Sequence, residues 1–231
     1  MQFSTLNESS LHKSLKTIYA EIYDGHTEVE KYNHVYDIIT KKENIIEIQT
    51  KNLSKLLPKI KDTIQKGHNI KLVHPIIEEN TIELYDSENN LISKRKSPKK
   101  QNIYSIFNEL TGIHEILLNR HFSLEIVFIK MTEIRMRTPE NVQSQNKRRR
   151  FKRNWIKIDK RLEEISGTKR FNSKEDYLNL LPELPELFSS KDLEEKIGKK
   201  NNPNLILWVF SHMNIIKYVE SQGRKKIYKI I

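Results

Sequence analysis

The sequence predicts an α/β fold, in which a mixed β-sheet is flanked by helices and is followed by a mostly α-helical C-terminal region. Residues 35–39 and 45–50 are rich in β-branched side chains and are separated by a polar stretch, which predicts two antiparallel strands joined by a turn. Residues 53–64 then repeat leucine and isoleucine at helical spacing, and residues 70–76 form another apolar run. The strands before and after this helix are expected to pair in parallel across a right-handed crossover.

Further elements are predicted on both sides of this unit. An amphipathic helix is expected over residues 11–22, and residues 27–32 form a candidate first strand. Pro58 either kinks the crossover helix or lies in its first turn, and Gly67 ends that helix. Downstream, the sequence indicates the following elements: a hairpin at residues 81–85 and 90–93, a helix over residues 102–118 and a long strand over residues 122–131.

The candidate site lies on the two strands that the first turn joins. Asp37 occurs in the first strand, and Glu47-Ile48-Gln49 belongs to the second. Because strand side chains alternate, Glu47 and Gln49 are expected to share one face. A half-solvated strand alternates in the same way, but a strand followed by a crossover helix tends to be covered on both faces. A carboxylate in such a place is costly unless it is paired or binds a metal.

This strand order and these residues resemble the core of the PD-(D/E)XK nuclease superfamily, the restriction-endonuclease-like fold. Its members carry an Asp and then Glu-x-Lys, or a variant of it, on adjoining strands. The resemblance implies that Asp37 and Glu47 are metal ligands, that the Ile48 carbonyl is a third ligand and that Gln49 positions the attacking water. Gln49 stands where lysine is usual; some type II restriction endonucleases also have Gln there. An amide orients water through hydrogen bonds but supplies no positive charge.

The same resemblance implies a cofactor and a supporting acid. Hard oxygen ligands suit Mg²⁺, with Mn²⁺ as the alternative cation. Superfamily members often add a carboxylate from near the first helix, so Glu28 is a further candidate catalytic residue, with Glu21 as a second choice. Such acids on a lysine-rich surface are also commonly just solvated. His12 and Lys16, one helical turn apart, face either the phosphate backbone or solvent.

Composition restricts the class of protein and its partners. The chain has 231 residues, 41 Lys and Arg against 30 Asp and Glu, and a formal net charge of +11. It has no cysteine, which excludes disulfides, thiolate zinc sites and cysteine nucleophiles. No run approaches the roughly 18 to 20 apolar residues that span a bilayer, and the first ten residues do not have the pattern of a signal peptide. A cytoplasmic protein without membrane association is expected.

Positive charge is concentrated in one stretch. Residues 131–161 contain eleven Lys and Arg against three acids, which is +8 of the net +11. This density is typical of a nucleic-acid-binding segment, because arginine binds phosphate with two hydrogen bonds. A disordered basic linker is the alternative, and a flexible arm that becomes ordered on DNA satisfies both interpretations. The candidate DNA-binding residues here and in a smaller basic group are Lys147, Arg148, Arg149, Arg150, Lys152, Arg153, Lys99 and Lys100.

The C-terminal part has the element order of a winged helix-turn-helix. Helical patterns occur at residues 155–165 and 174–181. One further helix is predicted after Ser190, and another is predicted to begin at Pro203. A hairpin with a basic tip ends the chain, and its candidate DNA-binding residues are Arg224, Lys225 and Lys226. In winged helices the second helix of the pair enters the major groove. Here that helix is apolar, so protein contact or domain packing is an alternative role.

These patterns together predict a nuclease-like domain at residues 1–137, a basic arm at 138–154 and a winged-helix domain at 155–231. The whole chain resembles an uncharacterised bacterial family that joins two such domains. The expected function is metal-dependent endonucleolytic hydrolysis of DNA, and the alternative is a non-catalytic DNA-binding or regulatory protein that keeps the nuclease fold as a scaffold. RNA is a less favoured partner, supported only by charge. Dimers are common among enzymes that cut both strands, so a homodimer and a monomer both remain open.

Overall fold

The computed structural model describes residues 9–143 and 150–231. Within these ranges a large mixed sheet carries helices on both faces, and a small second sheet lies near the C-terminus. The predicted α/β class, with a mixed sheet flanked by helices, is confirmed. No helix in the described ranges is long and apolar enough to cross a membrane.

The secondary-structure elements have the following bounds. The strands are β1 (Gly25–Lys31), β2 (His34–Thr40), β3 (Ile45–Ile48), β4 (Ile70–Tyr85), β5 (Leu91–Lys96), β6 (Phe122–Val142), β7 (Arg153–Phe171), β8 (Phe188–Ser189), β9 (Ile216–Gln222) and β10 (Lys225–Ile230). The α-helices are α1 (Ser10–Ile22), α2 (Leu57–Gln65), α3 (Phe107–Leu110), α4 (Lys174–Leu178), α5 (Ser190–Ile197) and α6 (Pro203–His212). Short 3-10 helices lie at Leu53–Leu56, Ile103–Ile106, His114–Ile116 and Lys199–Asn201.

The large sheet has the strand order β1-β2-β3-β4-β6-β7, and β5 pairs with the C-terminal end of β4, at residues 81–85. Strands β1, β2 and β3 form an antiparallel meander, whereas β3, β4 and β6 run parallel to one another. Helix α2 makes the crossover from β3 to β4, so the predicted parallel pairing is confirmed. Strand β7 pairs antiparallel with β6 and is the edge strand on this side of the sheet.

Local sequence accounts for the bounds of the crossover helix. Pro58 lies in the first turn of α2. Backbone N–H groups in the first turn have no acceptor within the helix, so proline costs no hydrogen bond there. Gly67 has a φ of +83°, a left-handed conformation that favours glycine and ends the helical run. The first-turn position of Pro58 and the stop at Gly67 agree with the prediction, whereas the predicted first turn, Leu53–Leu56, is a separate 3-10 helix.

Two hydrophobic layers cover the sheet. On one face, Leu11, Leu15 and Tyr19 of α1 pack against a cluster that contains Ile46. The opposite layer contains Ile45 and extends through α2 and α3 to the C-terminal helices, where Phe107 and Phe210 make an edge-to-face contact with ring centroids 5.2 Å apart. Because consecutive residues of β3 enter opposite layers, this strand is buried on both faces, as expected for a strand in a parallel sheet.

The predicted helix at residues 155–165 is wrong, because these residues belong to β7. Trp155, Ile158, Leu162 and Ile165 recur at intervals of three and four residues, which is the spacing of a helix face. In the structure, bulges in the pairing of β6 with β7 interrupt the two-residue alternation. The irregular apolar spacing of a bulged strand therefore imitated that of a helix.

The basic stretch also has a different position from the one predicted. Residues 138–142 complete β6, and Arg153 begins β7 and pairs with Val142. The segment predicted as a linker, residues 138–154, therefore includes the end of β6 and the start of β7, and we call its described residues 143 and 150–152 the β6–β7 tip. The large sheet continues to Phe171, beyond the predicted domain boundary at residue 137.

The predicted helix over residues 102–118 is interrupted. It consists of a 3-10 helix, the four-residue α3 and a second 3-10 helix. Gly112 lies at the break, where an added Cβ would be 2.7 Å from the Cβ of Ser54. The chain approaches the segment after β3 too closely there for a regular helix with ordinary side chains. The predicted hairpin of β4 and β5 is confirmed, although β4 is one continuous strand of 16 residues.

The C-terminal region contains α4, β8, α5, α6 and a hairpin of β9 and β10, in that order. Strand β8 pairs with β10, which gives a three-stranded sheet with the order β8-β10-β9. The predicted helices after Ser190 and at Pro203 and the predicted final hairpin are confirmed as elements. Buried residues of α6 join the core of the large sheet, so this region packs against the rest of the chain.

Candidate active site

An open cleft of about 580 Å³ lies beside the carboxyl end of β3, between the start of α1, the turn after β3 and the middle of β7. Most of the side chains that line it are charged. Its acids are Glu28, Asp37 and Asp159, and its lysines are Lys16, Lys51, Lys55, Lys157 and Lys160. His12 and Gln49 also line the cleft. Five of the residues predicted for the site or for phosphate contact thus meet in one place: His12, Lys16, Glu28, Asp37 and Gln49.

Asp37 lies where the pairing of β2 with β3 ends. Its Oδ2 accepts a hydrogen bond of 2.8 Å from the Ile48 N–H and lies 3.4 Å from His12 Nε2. Burial by itself raises the pKa of Asp37, but the hydrogen bonds from His12 and the Ile48 N–H outweigh burial, and the pKa is below its ordinary value. The carboxylate therefore remains ionised at neutral pH and faces the cleft.

Glu47 follows the paired residue Ile46 on β3, but it does not line the cleft. Its side chain is buried, with 3% of the residue exposed, and its Oε1 accepts hydrogen bonds from Lys59 Nζ at 2.6 Å and from the Asp37 N–H at 3.2 Å. Burial, and next the charge of Asp37, raise the pKa of Glu47 to about 7, although Lys59 opposes this rise. Glu47 contacts α2 and Asp37 contacts α1, so the two carboxylates face different helices.

The Ile48 carbonyl, predicted as a metal ligand, accepts a hydrogen bond of 2.8 Å from His12 Nε2. Because the Asp37 carboxylate also approaches this nitrogen, two oxygens converge on one point at the end of β3. A carboxylate and a carbonyl are the donor types that Mg²⁺ uses together with water and phosphate oxygens. Residues 9–143 and 150–231 contain no group of three or more His, Asp or Glu side chains placed to hold a metal ion.

Gln49 is held mainly through its backbone. Its N–H donates to the Val73 carbonyl at 2.9 Å, and its carbonyl accepts from His74 Nδ1 at 2.7 Å. The side-chain Nε2 makes one long hydrogen bond of 3.4 Å, to the Asn52 carbonyl. Burial chiefly, and the charge of Lys160 in addition, lower the pKa of His74, which is therefore neutral at pH 7. An uncharged imidazole therefore fixes the backbone of Gln49 at the edge of the cleft.

Glu28 falls between the pairs Thr27–Ile38 and Val29–Tyr36 in the register of β1 with β2, and so lies level with Asp37. It has a φ of +55°, which is uncommon for a residue other than glycine. Its exposed carboxylate forms an ion pair with Lys16 of α1. Glu28, Asp37 and Glu47 thus lie in one row across three strands, but each carboxylate has a different partner, so the structure does not bring the three together.

Two anchors fix α1 above the cleft. At its start, the Ser10 N–H donates to Asp159 Oδ1 of β7 at 2.9 Å. Two turns later, Tyr19 Oη donates at 2.6 Å to Glu125, a buried carboxylate that also pairs with Arg170. His12 lies between these anchors, which explains how a helix residue reaches the end of β3.

The cleft lysines from the turn and from β7 were not predicted as site residues. Lys51 and Lys55 follow β3 closely, but Lys157 and Lys160 are more than one hundred residues further along the chain. The one signal in the sequence is that the last two lie within the stretch of high positive charge. Their position in the cleft depends on the pairing of β7 with β6, which the sequence did not indicate.

None of the predicted DNA-binding residues that the structure describes lines the cleft. Lys147, Arg148 and Arg149 fall outside the described residues. At the β6–β7 tip, Phe151 is 77% exposed. Nearby, the guanidinium carbons of Arg135 on β6 and Arg153 on β7 lie 3.7 and 4.6 Å from the ring centroid of Trp155. The remaining candidates are exposed at the tip, in the segment after β5 and at the turn of the β9–β10 hairpin: Arg150, Lys152, Lys99, Lys100, Arg224, Lys225 and Lys226.

A second cleft, of about 650 Å³, opens at the amino ends of β3, β4 and β6. It is lined by Lys42, Lys71 and Arg120 among others, and by none of the predicted site residues. Lys71 is already paired with buried Glu125. We place the candidate site in the smaller cleft, because that cleft holds Asp37 and Gln49.

The fold and the cleft define an α/β protein with a mixed sheet, in which a carboxylate at a strand end faces lysines from distant elements. The chain belongs to the family described as Domain of unknown function (DUF8091), whose model matches residues 9–172. That range ends one residue after β7 and so contains the whole large sheet and the cleft. An uncharacterized protein of Treponema pallidum (strain Nichols) is 29% identical over 230 residues, which cover 99% of this chain and 88% of that protein. No solved structure matches.

Proposed function

We propose that this protein is a metal-dependent deoxyribonuclease that hydrolyses phosphodiester bonds in the cleft beside Asp37. One observation carries the proposal: the ionised carboxylate of Asp37, on β2 beside the carboxyl end of β3, faces a cleft that also contains lysines from the turn after β3 and from β7. The carboxylate alone would repel a phosphodiester, whereas lysines on the other walls attract its backbone. These lysines are Lys51, Lys55, Lys157 and Lys160.

Asp37 and the Ile48 carbonyl are the groups that would hold Mg²⁺ or Mn²⁺, because both oxygens approach His12 Nε2. Glu47 would join them only if its carboxylate exchanged Lys59 for the cation. A bound cation supplies a Lewis acid for the phosphate and for the attacking water. His12 contributes in the metal-free protein by holding the Asp37 carboxylate ionised.

The other cleft residues act on water and on the phosphate. The Gln49 amide is able to orient the attacking water, and the lysines bind the phosphate oxygens on either side of the reacting group. In the reaction the water oxygen bonds to phosphorus, the water proton is released, and one ester P–O bond breaks as its oxygen takes up a proton.

We further propose that the C-terminal region is a winged-helix DNA-binding unit. The order α4, β8, α5, α6, β9 and β10, with β8 beside β10, supports this proposal. Helix α6 is mostly buried against the large sheet, so the β9–β10 hairpin is better placed than α6 for DNA. Its exposed residues at the turn suit contacts to phosphates, and they are Arg224, Lys225 and Lys226. Arg150 and Lys152, which are exposed at the β6–β7 tip, add a second basic surface.

A non-catalytic DNA-binding or regulatory protein is the second candidate function. One specific observation favours it: Glu47 is buried in an ion pair with Lys59 and does not line the cleft. A protein of this kind would bind DNA with strong salt dependence and without any requirement for a divalent metal. RNA binding has only the positive charge in its favour.

The deciding experiment incubates the purified protein with plasmid and with single-stranded DNA, in Mg²⁺, Mn²⁺ or EDTA. We expect cleavage that requires the metal and that falls by roughly 100-fold or more in Asp37→Asn, with DNA binding retained. Asp86→Asn, in the turn before β5, is the matched control and should cleave normally. Full activity in Asp37→Asn would overturn the proposed site, and metal-independent binding without cleavage would support the non-catalytic function.

A further inference from the structure

We infer that Lys160 is a catalytic residue of the cleft, whose ammonium group contacts the reacting phosphate and supplies the positive charge that Gln49 cannot. This inference rests on the proposed function and deepens it. It assigns a role to a residue of β7 that is separated from Gln49 by more than one hundred positions in the sequence.

The position of Lys160 is the first step. It lines the same cleft as Asp37 and Gln49. Its charge is close enough to His74 to contribute to the lowered pKa of that imidazole, after the larger effect of burial. His74 Nδ1 in turn donates to the Gln49 carbonyl at 2.7 Å. Lys160 therefore lies on the Gln49 side of the cleft.

The second step is that Lys160 has no counter-ion among the residues that the structure describes. In the register of β6 with β7 it lies opposite Glu133, but Arg135 at 2.6 Å and Lys157 occupy that carboxylate. No carboxylate in residues 9–143 or 150–231 forms an ion pair with Lys160. A partly buried ammonium group without a counter-ion is unfavourable, and an entering phosphate would supply the missing negative charge.

The electrostatic surroundings agree with this position. Burial, followed by the charges of Lys157 and Lys51, lowers the pKa of Lys160, and Glu133 opposes this change. A phosphate in the cleft would reverse the effect by favouring the charged form. The structure thus holds a lysine that becomes more stable as a cation when its anionic ligand arrives.

The test compares Lys160→Met, which keeps the length of the side chain without its charge, with Lys160→Arg, which keeps the charge. Lys55→Met is the matched control, because it removes one lysine from the same cleft at an exposed position. We expect Lys160→Met to weaken DNA binding and, in addition, to lower kcat by roughly 100-fold at saturating DNA. Lys160→Arg should recover part of kcat and keep it to higher pH, because a guanidinium remains protonated. Lys55→Met should change KM and not kcat.

A wild-type kcat and pH profile in Lys160→Met would overturn the inference, and so would an equal loss of kcat in Lys55→Met. A readout independent of activity uses the NMR signals of ¹³C-methylated lysines, with the Lys160 signal assigned by its absence in Lys160→Arg. That signal should titrate below the other lysines and should move to higher pH when duplex DNA is added in EDTA. If the titration of the Lys160 signal does not change when DNA is added, the inference is contradicted even if cleavage is found. If no cleavage is found, the proposed hydrolysis fails, and a DNA-dependent shift still assigns Lys160 to phosphate binding.

Discussion

Replacement of Glu47 by glutamine should remove a pH dependence of stability that the buried carboxylate imposes. The two side chains have nearly the same shape, so packing in the core is retained. In the folded protein the pKa of Glu47 is about 7, compared with an ordinary value of 4.5, because the side chain is buried and lies near Asp37. The folded state therefore holds a proton on Glu47 at pH values where the unfolded chain has released it.

The sign and the size of the effect follow from this difference in pKa. The stability contribution of Glu47 is fully present below pH 4.5 and is lost as the pH rises to about 7, since ionisation is less favourable in the folded state. Each pKa unit is worth about 1.4 kcal/mol, so the loss amounts to roughly 3 kcal/mol. Glu47→Gln has no such titration. The difference in unfolding free energy, wild type minus Glu47→Gln, should therefore fall by roughly 3 kcal/mol between pH 4.5 and about pH 7.

The assay is urea denaturation of both proteins in EDTA, at intervals from about pH 4.5 to pH 8. Subtraction of the two curves cancels the other titrating groups. Lys59→Met provides a comparison, because Lys59 lowers the pKa of Glu47 and its removal should move the fall in stability to higher pH. A difference between wild type and Glu47→Gln that stays constant across this range would refute the account of the buried carboxylate.

Three further outcomes are expected. Tyr19→Phe removes the hydrogen bond of 2.6 Å to buried Glu125 and should lower the unfolding free energy by roughly 1 to 3 kcal/mol in thermal or urea denaturation. Gly25→Ala places a Cβ 2.5 Å from Ile38 Cγ2 and should cost roughly 1 to 3 kcal/mol by overpacking, and normal stability would show that β1 shifts freely. Arg153→Gln should weaken DNA binding and reduce the slope of log affinity against log salt by about one, measured by fluorescence anisotropy at several salt concentrations; an unchanged slope would place DNA away from the β6–β7 tip.

The central part of the fold was accessible from sequence because its signals are local. A short turn joins β2 to β3, and a change from two-residue to helical periodicity marks α2. The proximity of Asp37 to Glu47 follows from that hairpin alone. Their different partners do not follow from it, because α1 and α2 approach from opposite sides of the sheet. Gln49 lies just past the last residue of β3, so strand alternation no longer fixes the direction of its side chain.

The part that could not be predicted depends on pairing between distant segments. Strand β7 has a partner strand whose register is shifted by several bulges, and nothing near Trp155 in the sequence indicates that partner. Once this strand was interpreted as a helix, Lys157 and Lys160 could not be placed beside Asp37. The stretch of high positive charge was identified correctly, but its structural role, two strands and a hairpin tip in place of a linker, required the three-dimensional pairing.

Because Asp159 anchors α1, the cleft forms only after the residues around Asp159 have been synthesised. Ser10 and Asp159 are 149 positions apart, so a growing polypeptide has the first helix long before its anchor is synthesised. The wall that carries Lys157 and Lys160 emerges at the same late stage. Contacts between such distant residues form slowly, since a long loop must close first. Nascent chains that end before β7 therefore lack both the anchored His12 and the lysine wall, and the cleft is completed only when most of the protein has left the ribosome.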